Sequence, residues 1–181
     1  MFPGLAGFFD YQEEQGMLVL GIDPGTAICG YGLVKLERSR LVPVTYGAVF
    51  TDKDMLPELR LKKIYEELTR IIALYKPDFM SVEKLFFNRN VTTAIAVGQA
   101  RGVIVLAAAM ANLPVYEYTP IQIKNAITGN GHADKHQMTY MVTKLLHLDE
   151  PPKPDDVADA LAIGITGLNF VRQQDLLERA R

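Results

Sequence analysis

Leu18-Val19-Leu20-Gly21-Ile22-Asp23-Pro24-Gly25-Thr26, continuing through Cys29-Gly30-Tyr31-Gly32-Leu33-Val34, is the stretch from which the fold is read. The first run is continuously apolar, as in a strand covered on both faces, and it ends abruptly in an acid, a proline and a glycine. This is strand, tight turn, strand. Pro24 fixes φ at the first corner and Gly25 supplies positive φ where the second corner requires it, so Asp23 is held by a rigid turn. An acid placed beside open backbone points to metal or phosphate chemistry. Local sequence equally allows Asp23 to be a turn former and nothing more, and both readings stand until the rest of the chain is read.

Downstream, residues 41–50 (LVPVTYGAVF) read as a third antiparallel strand, with Pro43 marking an edge position or a bulge. Leu56, Leu59, Ile64, Leu68, Ile71, Ile72 and Tyr75 then recur at helical spacing, with lysines and glutamates opposite, up to a stop at Pro77. Residues 78–83 (DFMSVE) follow as a strand that ends in a second carboxylate, Glu83. Residues 84–90 (KLFFNRN) form a loop with aromatics between basic residues, and residues 91–111 form a helix apolar on more than one face, buried or at a subunit interface. A fifth strand over 114–118 leads into Thr119-Pro120, an N-cap and first-turn proline that open a helix to about Thr128. Residues 133–148 form an amphipathic helix presenting Met138, Met141, Val142, Leu145 and Leu146, and after a proline-rich connector a last helix runs from Asp155 to about Phe170.

These elements predict an α/β fold: a mixed five-stranded sheet, three antiparallel strands first and then two parallel ones, flanked by helices on both faces. Residues 1–16 carry no periodicity and are expected to be a dispensable extension, 17–172 a single domain and 173–181 a C-terminal tail. Nineteen basic against twenty-one acidic residues exclude a surface that is basic throughout, so any phosphate binding is local. The single cysteine, Cys29, excludes an internal disulfide framework and fits a reducing compartment, where it packs as a small apolar side chain. There is no charge-free apolar run of about 18 residues and no basic leader, so a cytoplasmic protein is expected.

The last helix holds Asp155, Asp156 and Asp159 in or near its first turn, where acids meet the positive end of the helix dipole. Three acids exceed what capping needs. Asp156 and Asp159 at i, i+3 share a side, and Asp155 with Asp159 at i, i+4 is geometrically as possible. Neighbouring strand ends would bring Asp23 and Glu83 together, with the last helix adding its acids. Four carboxylates in one place repel unless protonated or neutralised. A pair of Mg²⁺ ions, hard cations about 3.5–4 Å apart that clamp both oxygens of a phosphodiester displacement, fits that donor set.

The series GIDPGT (21–26), VEKLFF (82–87), GQARG (98–102), Lys124 with GHADK (131–135), and DVADALAIGIT (156–166) resembles the RuvC family, bacterial Holliday junction resolvases of RNase H-like fold. The motifs run in order from about Met17 to Thr166. The resemblance implies that Asp23, Glu83, Asp156 and Asp159 bind two Mg²⁺ ions, with Mn²⁺ able to substitute, and hydrolyse DNA. Its three-residue spacing favours Asp156 over Asp155, which leaves Asp155 as the N-cap. Lys124 and Lys135 match basic positions that assist at the site, and Phe86 matches an aromatic that stacks on junction bases. Phe87 and Arg89 are expected beside it as DNA contacts. The resemblance further implies four-way junction DNA as substrate, a homodimer making symmetric nicks, and the branch-migration proteins RuvA and RuvB as partners.

Two other readings compete. An Asp-x-Gly-Thr turn also grips nucleotide phosphate in sugar-kinase or actin-like ATPases, but those need two such domains and this chain has one such turn. A catalytically silent junction-binding module would have no use for all four acids. His132 and His136 flank Lys135 at i, i+4 and are read as DNA or solvent contacts, because two-metal nucleases of this kind use oxygen ligands. His147 is read as a favourable charge at a helix C-terminus.

Overall fold

A computed structural model of this chain describes residues 16–84 and 91–179. The strands are β1 (Met17–Asp23), β2 (Ile28–Glu37), β3 (Arg40–Phe50), β4 (Phe79–Glu83) and β5 (Val115–Tyr118). The described helices, in chain order, are α1 (Pro57–Tyr75), α2 (Val91–Met110), α3 (Pro120–Thr128), α4 (Lys135–Leu145) and α5 (Asp155–Arg179). The sheet order is β3-β2-β1-β4-β5. β1 is antiparallel to β2 and β2 to β3, whereas β4 runs parallel to β1 and β5 parallel to β4. This is the mixed sheet the sequence predicts. β3 is an edge strand, and its pairing skips a residue at Val44, so Pro43 marks both an edge and a bulge.

Period-two alternation sorts the sheet into two cores. Val19 of β1, Val34 of β2 and Phe79 of β4 face α3, α4 and α5, packing with Met138, Val142, Leu161, Ile165 and Leu168. Leu20, Ile22, Leu33, Met80 and Val82 face α1 and α2, packing with Ile64, Leu68, Ile71, Ala100 and Ile104. Asp23 falls in step with Val19, and Glu83 with Phe79, so both carboxylates belong to the α5 face.

α5 lies closer to the sheet than side chains ordinarily allow. A Cβ on Gly21 would stand 2.2 Å from the Ala160 carbonyl oxygen and 2.8 Å from the Gly164 Cα, and one on Gly30 would stand 2.0 Å from the Asp156 carbonyl oxygen. Bare backbone at Gly21 and Gly30 therefore fixes how far along β1 and β2 the helix begins. Its first turn comes down on the end of β1.

The structure corrects several details. The 133–148 helix is α4 and covers Lys135–Leu145, with Asp134 as N-cap in a capping box with Gln137. α5 continues to Arg179, past the expected Phe170, so the helix includes most of the residues read as a tail. α2 is partly exposed: Ala100, Ile104, Ala107 and Ala108 are buried, while Ile95, Leu106 and Met110 face outward. Among the described residues no helix is long and apolar enough to cross a membrane.

Candidate active site

The β1–β2 turn is braced from β3. The Thr51 amide donates to the Ala27 carbonyl at 3.0 Å, and the Thr51 hydroxyl donates to the Thr26 carbonyl while accepting from the Arg60 Nε at 2.7 Å. Gly25 does not take the positive φ expected of it. It is required for a different reason, because a Cβ there would lie 2.0 Å from the Ile28 carbonyl oxygen. The turn that carries Asp23 is thus held by hydrogen bonds through Thr51 and by close backbone packing at Gly25.

Parallel pairing of Ile22 with Val82 puts the next residues, Asp23 and Glu83, side by side at adjacent strand ends. Asp23 pairs across the other edge with Gly30, and Gly30 is where the backbone of Asp156 rests. Asp159, one turn further along α5, completes the group. Asp23, Glu83 and Asp159 line a cavity of about 220 Å³ together with Lys124 of α3 and Lys135 of α4, against an apolar wall of Ile123, Met138 and Ile163. Asp156 lies outside that lining, toward β2. Four predicted acids and two predicted lysines thus come to one end of the sheet.

The electrostatics record the crowding. Burial, followed by the charges of Asp159, Glu83 and Asp156, raises Asp23 to about 7, with Lys135 the opposing influence. Glu83 is raised by burial and by Asp159, and Lys124 offsets this. Asp159 is raised by burial, with Lys135 pulling it down and Asp156 and Asp155 pushing it up. Burial acts to lower Lys135, but Asp155 and Asp159 outweigh it and hold the ammonium above its ordinary value. Its Nζ stands 3.2 Å from Asp155 Oδ2 and 3.5 Å from Asp159 Oδ2. A half-buried acid near neutrality beside three more acids is the signature of a site built for positive charge.

As the side chains stand, no group of three or more His, Cys, Asp or Glu among the described residues is arranged around one point to hold an ion. The donor set is nonetheless all oxygen, the set that suits a hard divalent cation and that cation charge would draw together.

Asp155 is not the N-cap. It is the first residue of α5, Pro154 precedes it, and its carboxylate reaches Lys135. That pairing was invisible in the sequence, whereas the Asp134-x-x-Gln137 spacing that anchors α4, and with it Lys135, is a capping signal the sequence does carry. Arg101 of the GQARG motif lies on the opposite face of the sheet and pairs with Glu117 of β5, which ties α2 to the sheet away from the acids. His132 and His136 are exposed beside Lys135. Cys29 is fully buried, and burial raises its thiol to about 12, so it is an inert packing residue. Phe86, Phe87 and Arg89 lie outside the described residues.

A family model described as crossover junction endodeoxyribonuclease RuvC matches residues 19–167. A protein of that name from Brevibacillus brevis is 58% identical over 154 residues, covering 85% of this chain and 93% of its own. Another, from Syntrophomonas wolfei, is 50% identical over 162 residues, covering 90% and 94%. Among solved structures, Thermus thermophilus RuvC in complex with a Holliday junction substrate superposes with a TM-score of 0.84 at 35% identity, over 88% of this chain and 97% of that one. The yeast mitochondrial Holliday junction resolvase Ydc2, 15% identical with a TM-score of 0.60, shares the fold.

Proposed function

The chain belongs to the RuvC family of crossover junction endodeoxyribonucleases, and from that premise we propose that Asp23, Glu83, Asp156 and Asp159 are its catalytic tetrad. It is a metal-dependent nuclease that resolves Holliday junctions. The tetrad holds two Mg²⁺ ions, with Mn²⁺ able to replace them. The observation that carries the reading is the convergence of four acids from β1, β4 and α5, with the Asp23 carboxyl raised to about 7 by burial first and then by the charges of Asp159, Glu83 and Asp156.

Bound divalent cations supply charge stabilisation at the phosphate and acidify water. The chain's own residues do the rest. Asp23 and Glu83, fixed at adjacent strand ends, set the position of the site, and α5 presents Asp156 and Asp159 from above. Lys124 and Lys135 offset the acid charge at the cavity and are placed to meet the phosphates of the scissile strand. The wall of Ile123, Met138 and Ile163 limits bulk water on the side away from DNA. Water adds to phosphorus in line and the bond to the 3′ oxygen breaks, leaving a 5′-phosphate and a 3′-hydroxyl.

Phe86, Phe87 and Arg89, three, four and six residues beyond Glu83, complete the proposal as DNA contacts: the aromatics stack on unpaired bases and the arginine meets phosphate. Symmetric nicks in opposed strands require two copies of the site. A homodimer fits, and the exposed Ile95, Leu106 and Met110 of α2 offer it an apolar face. Cooperation with RuvA and RuvB belongs to the same reading. The nuclease domain is assigned to residues 17–172, with 1–16 dispensable for cleavage and the end of α5 outside the catalytic machinery.

The test is cleavage of a synthetic four-way junction and of a linear duplex of the same sequences, with Mg²⁺ and with chelator. Paired nicks in opposed strands, sealable by ligase and dependent on the cation, are expected. Free cutting of the duplex with the junction left intact would refute the proposal.

A further inference from the structure

The outer face of α4 is unlike the rest of the exposed surface. Two hollows of about 480 and 470 Å³ flank it, and both are lined by His136 and Tyr140. The second is also lined by Lys135 and Lys144, and Lys135 is a wall of the acidic cavity as well. Lys135 thus stands between the candidate active site and the hollow that runs along the helix. Between the hollows Tyr140 stands 54% exposed, with the Lys144 Nζ 5.6 Å from its ring centroid.

His136, Tyr140 and Lys144 follow at i, i+4, i+8 and form one exposed stripe. From Lys135 to Leu145 the helix has two lysines and no acid. Two neighbouring acids are engaged: Asp134 caps the helix by accepting the Gln137 amide, and Asp155, which also lines the second hollow, holds Lys135. Lys135 to Lys144 spans about 13 Å of helix axis, the axial length of about four phosphates of one B-form strand.

We infer that this face of α4 is a track for the duplex arm leaving the active site, with Lys144 on a backbone phosphate, Tyr140 against the sugars of the groove wall and His136 bridging to Lys135. The inference rests on the nuclease reading above and adds to it a second anchoring point that sets arm direction. A helix with two lysines and no acid, beside the cavity that takes the scissile strand and sharing Lys135 with it, identifies DNA as the occupant.

The test is junction binding by fluorescence anisotropy across a salt series, without divalent cation, for the wild type, Lys144→Ala and Lys63→Ala. Lys63 is likewise an exposed lysine, on α1, across the sheet. For Lys144→Ala the salt slope is expected to fall by about one and Kd to rise roughly tenfold near 0.1 M salt. Lys63→Ala should match the wild type, and a junction with arms trimmed to a few base pairs should give the wild type the shallower slope. Equal slopes for Lys144→Ala and wild type on long arms, or equal losses in both lysine variants, would overturn the track. Failure of the wild type to bind the junction would instead overturn the nuclease reading.

Discussion

Replacing Asp23 with Asn should stabilise the protein while abolishing cleavage, and the size of the gain follows from the site. Asp23 lies at about 7 in the fold against an ordinary 3.8. Between those values the folded state keeps the proton that the unfolded state has released, so stability falls as pH rises through the window and is flat above it. Fully developed, the penalty is roughly 4 kcal/mol. Asn has the same shape and no charge, and so does not incur it. In chelator, urea unfolding at pH 5, 6, 7 and 8 should therefore show the Asp23→Asn variant gaining on the wild type steadily, by about 2–4 kcal/mol at pH 8 after allowance for the buried amide. Adding Mg²⁺ should narrow the gap from the wild-type side, because an ion that binds the folded state adds stability by mass action and the variant has lost a ligand. Parallel curves for the two proteins from pH 5 to 8, or a wild-type stability indifferent to Mg²⁺, would refute this picture of the site.

Lys135→Ala removes the ammonium that pulls Asp159 and Asp23 down. The acid limb of the cleavage pH profile should move to higher pH and the rate at neutrality fall on the order of 10²-fold; an unmoved limb would mean Lys135 does not act through these acids. Gly21→Ala drives a methyl to 2.2 Å from the Ala160 carbonyl and lifts α5 off β1. A loss of roughly 1–3 kcal/mol in urea unfolding is expected, with cleavage reduced beyond what the folded fraction explains.

How much of this was legible beforehand depends on the range of the interaction responsible. Asp23 and Glu83 were readable because each closes an apolar strand, and period-two alternation sends both to one face once the strands pair in parallel. The capping pairs Thr119 with Gln122 and Asp134 with Gln137 are local and stand in the sequence; apolar periodicity alone reaches back to Ala133, ahead of the Asp134 cap that begins α4. The sequence reading of α5 stops at Phe170, but residues 171–179 contain no breaker and several good helix formers, so the backbone continues. Asp155 reads as an N-cap in the sequence because its partner, Lys135, is twenty residues away. The need for Gly21 and Gly30 is likewise tertiary: the carbonyls that exclude a Cβ come from α5, whereas at Gly25 the excluding carbonyl is that of Ile28 in the same turn.

The most direct measurement is anomalous diffraction from crystals soaked in Mn²⁺, which locates bound cations independently of activity. Two peaks among the carboxylate oxygens of Asp23, Glu83, Asp156 and Asp159, both lost in an Asp23→Asn, Asp159→Asn double variant, are expected. Ordered Mn²⁺ held elsewhere, for instance by His132 and His136, with none among these four acids, would contradict a metal-binding tetrad.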